Sequence, residues 1–335
     1  MTIKDLSAMT GYSVGTVSRV LNNHPNVSEK ARRMILAAAR ESGFQLNANA
    51  KQLKQQRTNS ILVIVRGMSN PMFAQMVEIL QANMAETDHP LVVDYVDEYR
   101  NEVVRAAQLC AEKKPLGVLF LGGNREHFRQ HLGRIDVPCV LVTSDASDVQ
   151  LPNLSSVGSD DRQAAALAID TLCSLGHRQI AVIGGDLENS DISARRYQGC
   201  ADAFVRNGID YDPESSYAAA RYSYEGGYNA ACALLERKAE FSALFAMADV
   251  MSIGAIRALQ DHGLRVPEDV SVMGFDGLQI GQFTTPRLAT ICQDVQKIAV
   301  ESIRMLTNQI ARSQPPQFET VPVTVELRES VRRLR

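Results

Sequence analysis

Ser13-Val14-Gly15-Thr16-Val17-Ser18-Arg19-Val20-Leu21-Asn22 is the stretch on which the reading turns. Ser13 suits an N-cap, and Val17, Val20 and Leu21 fall on one face of a helix over 14–21. Just before it, residues 4–10 place Leu6 and Met9 at helical spacing, and Gly11 stops that helix. Two short helices joined by a tight turn containing glycine form a helix-turn-helix. Beyond it, Ser28 caps a third helix over 29–41, with Ala31, Ile35 and Ala38 inward and Gly43 at its end.

In a helix-turn-helix the leading residues of the second helix face base edges in the DNA major groove. Here those are Val14, Gly15, Thr16, Ser18 and Arg19. Arg19 can read guanine through two hydrogen bonds, whereas Val14 can offer only an apolar contact, for instance to a thymine methyl. Gly15 weakens the helix and reads nothing. On pattern alone a three-helix packing module that touches no nucleic acid stays open.

Charge supports the DNA reading. The 335-residue chain has a net charge of -3, but residues 1–58 hold nine Lys/Arg against three Asp/Glu, leaving 26 basic and 35 acidic residues in the remainder. A small basic head on a large acidic body is expected of a polyanion-binding module joined to a different unit. With 45% hydrophobic and 22% charged residues, whole-chain disorder and coiled coil are excluded. The longest apolar runs, such as 61–65, are far below the 18 or so residues of a bilayer span, so no membrane partner is expected. The opening Met1-Thr2-Ile3-Lys4-Asp5 lacks an apolar signal core, and the six scattered Cys form no CxxC pair. A cytoplasmic chain without a secretion signal, cofactor or metal is expected. His127 and His131 are four apart on a helix, but no third ligand stands nearby and a solvated face is favoured.

From residue 60, short β-rich runs (60–65, 90–96, 117–121, 139–142) alternate with amphipathic stretches near 72–87, 101–113 and 126–133. A second cycle follows, with strands at 179–183, 243–247 and 270–275 and helices at 161–175, 193–207, 225–237 and 249–262. A helix at 294–312 and an extended stretch at 318–327 close the chain. Such alternation predicts two α/β lobes, each a doubly wound parallel sheet, with a ligand cleft between them.

The wording of these segments resembles the LacI/GalR family of bacterial repressors. In the headpiece it rests on Thr2-Ile3-Lys4-Asp5-Leu6, Thr16-Val17-Ser18-Arg19-Val20-Leu21-Asn22 and Val27-Ser28. In the body it rests on Ser69-Asn70-Pro71-Met72-Phe73, Leu175-Gly176-His177-Arg178, Arg196-Tyr197-Gln198-Gly199, the run from Gly263 to Ser271, Gly274-Phe275-Asp276, the run from Thr285 to Ile291, and Leu327-Arg328-Glu329-Ser330. The resemblance implies an α/β protein: an all-α helix-turn-helix headpiece (1–46), a hinge helix and linker (47–58), and a two-lobed, periplasmic-binding-protein-like core (59–335) that binds an effector and dimerises. The first lobe would span about 59–158 and 288–317 and the second about 159–287 and 318–335, with crossings near 157–160, 284–290 and 315–320. It implies that Val14 and Gly15 set specificity, that Thr16, Ser18, Arg19 and Asn22 contact DNA, and that Asn47, Ala50, Leu53 and Lys54 belong to a hinge helix paired with its dimer mate in the minor groove. Leu53 would be the wedge that kinks the duplex. Leu46 stands where the family usually has Pro.

By the same resemblance Arg196, Asp249 and Asp276 match effector-binding positions, and Phe73 and Tyr222 match aromatic positions that stack on the effector. Carboxylates accept from paired hydroxyls and arginine donates in a fork, which suits a polyol ring. Thr143 stands where many relatives carry Asp, and Gly277 where Asp or Asn is common. A sugar is therefore preferred, with a purine or nucleoside open on the same frame. The reading is a ligand-responsive repressor acting as a homodimer on a near-palindromic operator, not an enzyme. Its rivals are a transport-type solute-binding protein, and a sugar- or nucleoside-processing enzyme using Asp249 and Asp276 as paired carboxylates.

Overall fold

Serine caps start the helices of the N-terminal unit where the sequence places them. In a computed structural model describing residues 3–21, 27–42 and 58–334, helix α1 spans Ile3–Thr10, α2 Val14–Leu21 and α3 Glu29–Glu41. Ser13 Oγ accepts from the Thr16 N–H at 3.2 Å and Ser28 Oγ from the Ala31 N–H at 3.3 Å, satisfying donors that a helix start leaves orphaned. Gly11 turns the chain with φ +72°. Leu6, Val17, Val20, Ala31, Ile35 and Ala39 form the core of this unit. Ala39, rather than the expected Ala38, takes the inward slot: positions 31, 35 and 39 form a ladder four residues apart, and Ala38 packs beside it half-buried. The chain divides into this compact unit, 1–56, and a second one, 57–335.

The second unit is built from two repeats of one winding. Its first lobe runs β1 (Ile61–Arg66), α4 (Pro71–Met84), β2 (Leu91–Val96), α5 (Glu102–Lys113), β3 (Gly117–Leu121), α6 (Arg125–His131), β4 (Cys139–Thr143) and β5 (Leu154–Gly158). The second runs α7 (Asp161–Ser174), β6 (Ile180–Gly184), α8 (Asp191–Arg206), α9 (Pro213–Ser216), β7 (Tyr217–Ala219), α10 (Tyr224–Glu236), β8 (Ala243–Ala246), α11 (Asp249–Asp261), β9 (Ser271–Asp276) and β10 (Ala289–Cys292). The chain then returns to the first lobe as α12 (Val295–Arg312) and β11 (Phe318–Thr320), and ends in the second with β12 (Thr324–Glu326). The sheet orders are β2-β1-β3-β4-β5-β11, parallel throughout, and β7-β6-β8-β9-β10-β12, parallel except for β12. Central strands are buried along their whole length, as parallel sheets covered on both faces require.

Two lobe boundaries differ from the sequence expectation. The strand 289–292 pairs with β9 and belongs to the second lobe, so the middle crossing lies at 293–294 and not before 288. Strand 318–320 pairs with β5 and belongs to the first lobe, so the last crossing lies at 321–323. The extended stretch 318–327 is thus two strands in two sheets. An apolar segment such as Ala289-Thr290-Ile291-Cys292 needs ladder partners on both sides, and β9 and β12 supply them. Strands β5 and β7 and the short helix α9 were not expected. Among the described residues no helix is long and apolar enough to cross a membrane.

Candidate functional site

On the headpiece, Val17 and Val20 are buried while Val14, Gly15 and Arg19 are exposed and Thr16 and Ser18 half-buried. The five expected base-facing residues therefore lie at the start and along the polar side of α2, opposite its core face. A Cβ on Gly15 would meet only Ser13 Oγ at 3.9 Å, so the position is open to any side chain. Asn22, Asn47, Ala50, Leu53 and Lys54 lie outside the described residues.

In the core, a cleft of about 850 Å³, counting its open mouth, lies between the lobes at the carboxyl ends of β1, β3, β6 and β9. These are the points where both strand orders reverse, the usual ligand site of doubly wound sheets. Phe73, Arg196, Tyr222 and Asp276 all line it, so four of the five expected effector residues come together.

Asp276 ends β9 with φ +120° and is only 2% exposed. Its Oδ2 accepts from Asn70 Nδ2 at 2.9 Å and its Oδ1 from Gln293 Nε2 at 2.9 Å. Burial pushes its carboxyl up to about 6, with Arg196 and the two amides pulling the other way. Asn70 also caps α4, its Oδ1 accepting from the Met72 N–H at 3.0 Å. One amide thereby starts a helix of the first lobe and holds the carboxylate of the second. Gln293 does its part from the middle crossing. Sequence reasoning passed over both: Asn70-Pro71 carries the helix-start signal, but nothing in the sequence near Gln293 points to Asp276.

Arg196, on α8, is buried. Its Nε donates to Asp161 Oδ1 at 2.8 Å, its Nη1 to the Met247 carbonyl, and its guanidinium lies 3.7 Å from the centroid of the Phe275 ring. Tyr222 is pinned through a 2.8 Å hydrogen bond between its hydroxyl and Ser193 Oγ, which also accepts from the Gly185 N–H at 3.1 Å.

Asp249 is not in the cleft. It is fully buried, with Oδ2 accepting from the Leu278 N–H at 2.6 Å and Oδ1 from the Thr290 hydroxyl at 2.7 Å. Burial first, then the nearby charge of Asp276, push its carboxyl up to about 8. Its work is to fasten the loop after β9 to β10. Gly277 is explained by the same packing: with φ +80° a Cβ there would meet Cys292 Cα at 2.9 Å. Thr143 does line the cleft, with φ +83°, an uncommon backbone for a β-branched residue.

Two arginines span the lobes at the cleft's edges. Arg125 makes bonds of 2.7 and 2.8 Å to Asp191 and also pairs with Asp148 at 2.9 Å. Arg221 pairs with Asp97 and Glu98, each at 3.1 Å, and lies 4.5 Å from the Tyr99 ring centroid. His127 Nδ1 is 2.8 Å from Glu102, a buried carboxylate that also takes the Asn124 N–H and pairs with Arg66. Among the described residues no group of three or more His, Cys, Asp or Glu is arranged to hold a metal.

The family model for bacterial regulatory proteins, lacI family, matches residues 2–47, and that for a periplasmic binding protein-like domain matches 169–331. The HTH-type transcriptional regulator MalR of Clostridium butyricum is 32% identical over 313 residues, 92% of this chain and 93% of its own. The chain belongs to the lacI family. A second member, the HTH-type transcriptional repressor CytR of Escherichia coli (strain K12), is 31% identical over 92% of this chain and 89% of its own. Among solved structures, a complex of the transcriptional regulator CelR with cellobiose matches with TM-score 0.72 and 27% identity, covering 98% of this chain and 99% of the other. The Lac repressor bound to ONPG in its repressed state matches with TM-score 0.75 and 26% identity, each chain covered to 99%. This lacI-family protein is a DNA-binding transcriptional regulator whose operator affinity answers to a small molecule.

Proposed function

We propose that this regulator is a homodimeric repressor of a near-palindromic operator, controlled by a sugar held between its lobes. Val14, Gly15, Thr16, Ser18 and Arg19 read the major groove, joined by Asn22, while Asn47, Ala50, Leu53 and Lys54 act at the minor groove. Phe73, Arg196, Tyr222 and Asp276 hold the effector. The observation that carries this reading is Asp276, a buried carboxylate at a strand end in the cleft, hydrogen-bonded to the first lobe through Asn70. A ligand engaging Asp276 competes with or completes that link, and so changes the angle between lobes joined by three crossings. Coupling of about 1–3 kcal/mol shifts operator affinity roughly 5- to 150-fold.

Relatives named as regulators, and an Asp249 whose two oxygens are already engaged outside the cleft, weigh against a paired-carboxylate enzyme. Asp276→Ala is expected to abolish the effector response while operator binding persists. Operator titrations with and without effector measure this, and an unchanged response would remove Asp276 from the site. Deleting residues 1–56 is expected to abolish operator binding, which in the full chain weakens steeply with salt as counterions are released.

A further inference from the structure

We infer that the effector is an uncharged, polyhydroxylated ring compound, and that phosphorylated or carboxylated sugars are rejected at the cleft. The inference rests on the cleft reading above and adds the charge class of the ligand.

Recognition of a phosphate or carboxylate needs a cation with spare donors and spare charge, or an open helix N-terminus. The described lining of the cleft contains two cations, Arg66 and Arg196. Neither has spare charge. Arg66 Nε lies 3.3 Å from the buried Glu102 carboxylate, and its Nη2 donates to the Glu98 carbonyl. Arg196 is committed to Asp161, to a backbone carbonyl and to the Phe275 ring. The rim arginines, Arg125 and Arg221, each bind carboxylates across the lobes.

The acids are in surplus. Asp276 is held by two neutral amides and by no lysine or arginine within hydrogen-bond reach. Asp186, also in the lining, spends its oxygens on the N–H groups of Glu188 and Asn189 and on the Asn189 amide. Two helices begin at the cleft, α4 and α8, and both are capped by their own side chains. Asn70 takes the Met72 N–H, and Ser190 takes the Ser193 N–H at 3.3 Å. An anion would thus enter a half-desolvated, negatively biased site, where like-charge juxtaposition costs several kcal/mol.

A cation fits no better. The fully enclosed Arg196 guanidinium stands close enough to Asp276 to lower its pKa, and Arg66 faces it from the first lobe's wall. What remains is a mixture of hydroxyls, amides and one carboxylate acceptor between aromatic faces, Phe73 and Tyr222. Neutral hydroxyls can donate to Asp276 and accept from amides, and the rings cover the C–H face of a sugar or a nucleoside.

The test is a set of matched probes on the full-length protein. D-glucose, D-ribose, cellobiose and cytidine form the neutral arm; D-glucuronate, glucose 6-phosphate, ribose 5-phosphate and cytidine monophosphate form the anionic arm; D-glucosamine is the cation. Thermal shift finds binders, calorimetry ranks them, and hydrogen exchange at 69–73 and 220–222 locates them. At least one neutral probe is expected to bind and protect both segments, with its anionic partner weaker by at least about 100-fold. An anionic or cationic probe that protects these segments and binds as tightly as its neutral parent overturns the inference while leaving the cleft reading intact. Silence of the whole neutral arm overturns it too. A neutral binder that protects neither segment instead removes the cleft reading, and this inference with it. Asp276→Asn supplies a second check: it should narrow the gap between a neutral probe and its anionic partner, and an unchanged gap would show that Asp276 does not set it.

Discussion

In the first lobe β1 ends on Arg66 and β4 on Thr143; in the second β6 ends on Gly184, and β9 on Asp276. The strand orders of the two sheets are the same, so the difference lies in what is mounted at equivalent strand ends. The second lobe places a buried Arg196–Asp161 pair and the uncompensated Asp276 against the ligand space. The first lobe meets them with an amide, an aromatic ring and an arginine already neutralised by Glu102. One lobe carries the binding charge, and the other senses it through a single neutral side chain, Asn70. Repetition of a fold therefore does not repeat its chemistry.

The largest expected effect separates the two buried arginines. Arg196→Ala leaves Asp161, 1% exposed, without its cation, and breaking such a buried pair costs about 3–5 kcal/mol. Arg66→Ala costs less, because Glu102 keeps His127 and the Asn124 N–H. Denaturant unfolding of both variants measures the gap, and equal losses would break the contrast between the lobes.

Next comes pH. Asp276 and Asp249 are both raised above the carboxylate's ordinary value, to about 6 and about 8. Between about 4 and those values the folded core holds protons that the unfolded chain has released, so stability falls as pH rises through this window. Asp276→Asn should flatten the part between about 4 and 6. It should also shorten the Asp249 window, since the Asp276 charge is the second cause of that shift. Melting temperatures from pH 4 to 8 check this; a wild-type slope kept in both Asp276→Asn and Asp249→Asn would assign the linkage to other groups.

Much of this architecture is legible in the sequence, for identifiable reasons. Ser13 and Ser28 cap the helices they precede, and the apolar runs at 61–65, 117–121 and 139–142 can only be buried strands. Phe73, Arg196, Tyr222 and Asp276 converge as their motifs imply. What escaped the sequence is non-local. Which lobe receives 289–292 or 318–320 is decided by ladder partners more than a hundred residues away. Asp249 has the same residue type as Asp276 and the same place after a strand. Only the packing of Leu278 and Thr290 around it turns it from ligand group to fastener.

Asn70 gives an intermediate effect that can be split in two. Asn70→Ala removes the cap of α4, worth about 1 kcal/mol, together with the link to Asp276. Asn70→Ser keeps a capping oxygen but is too short to reach the carboxylate. If the serine variant regains stability yet responds to effector as poorly as the alanine one, the link carries the signal. If both functions return together, capping alone explains Asn70.

The smallest effect concerns the rims. Arg125 and Asp191 are 15% and 20% exposed in their side chains and meet through two parallel bonds, whereas Arg221 and Asp97 are 51% and 49% exposed. Exposed pairs of long side chains contribute little and are screened by salt, while a sheltered fork is screened less. Both arginines tie one lobe to the other, so each favours the closed cleft and slows escape of a bound effector. Arg221→Ala should therefore raise the effector dissociation rate only about two- to five-fold at low ionic strength, and the difference from wild type should vanish near 0.5 M salt. Arg125→Ala should raise it more and keep most of that difference in salt. Stopped-flow release at two ionic strengths reads all four values. An Arg221 effect that equals the Arg125 effect and survives high salt would mean that the Tyr99 stacking, not the ion pairs, holds that edge of the cleft closed.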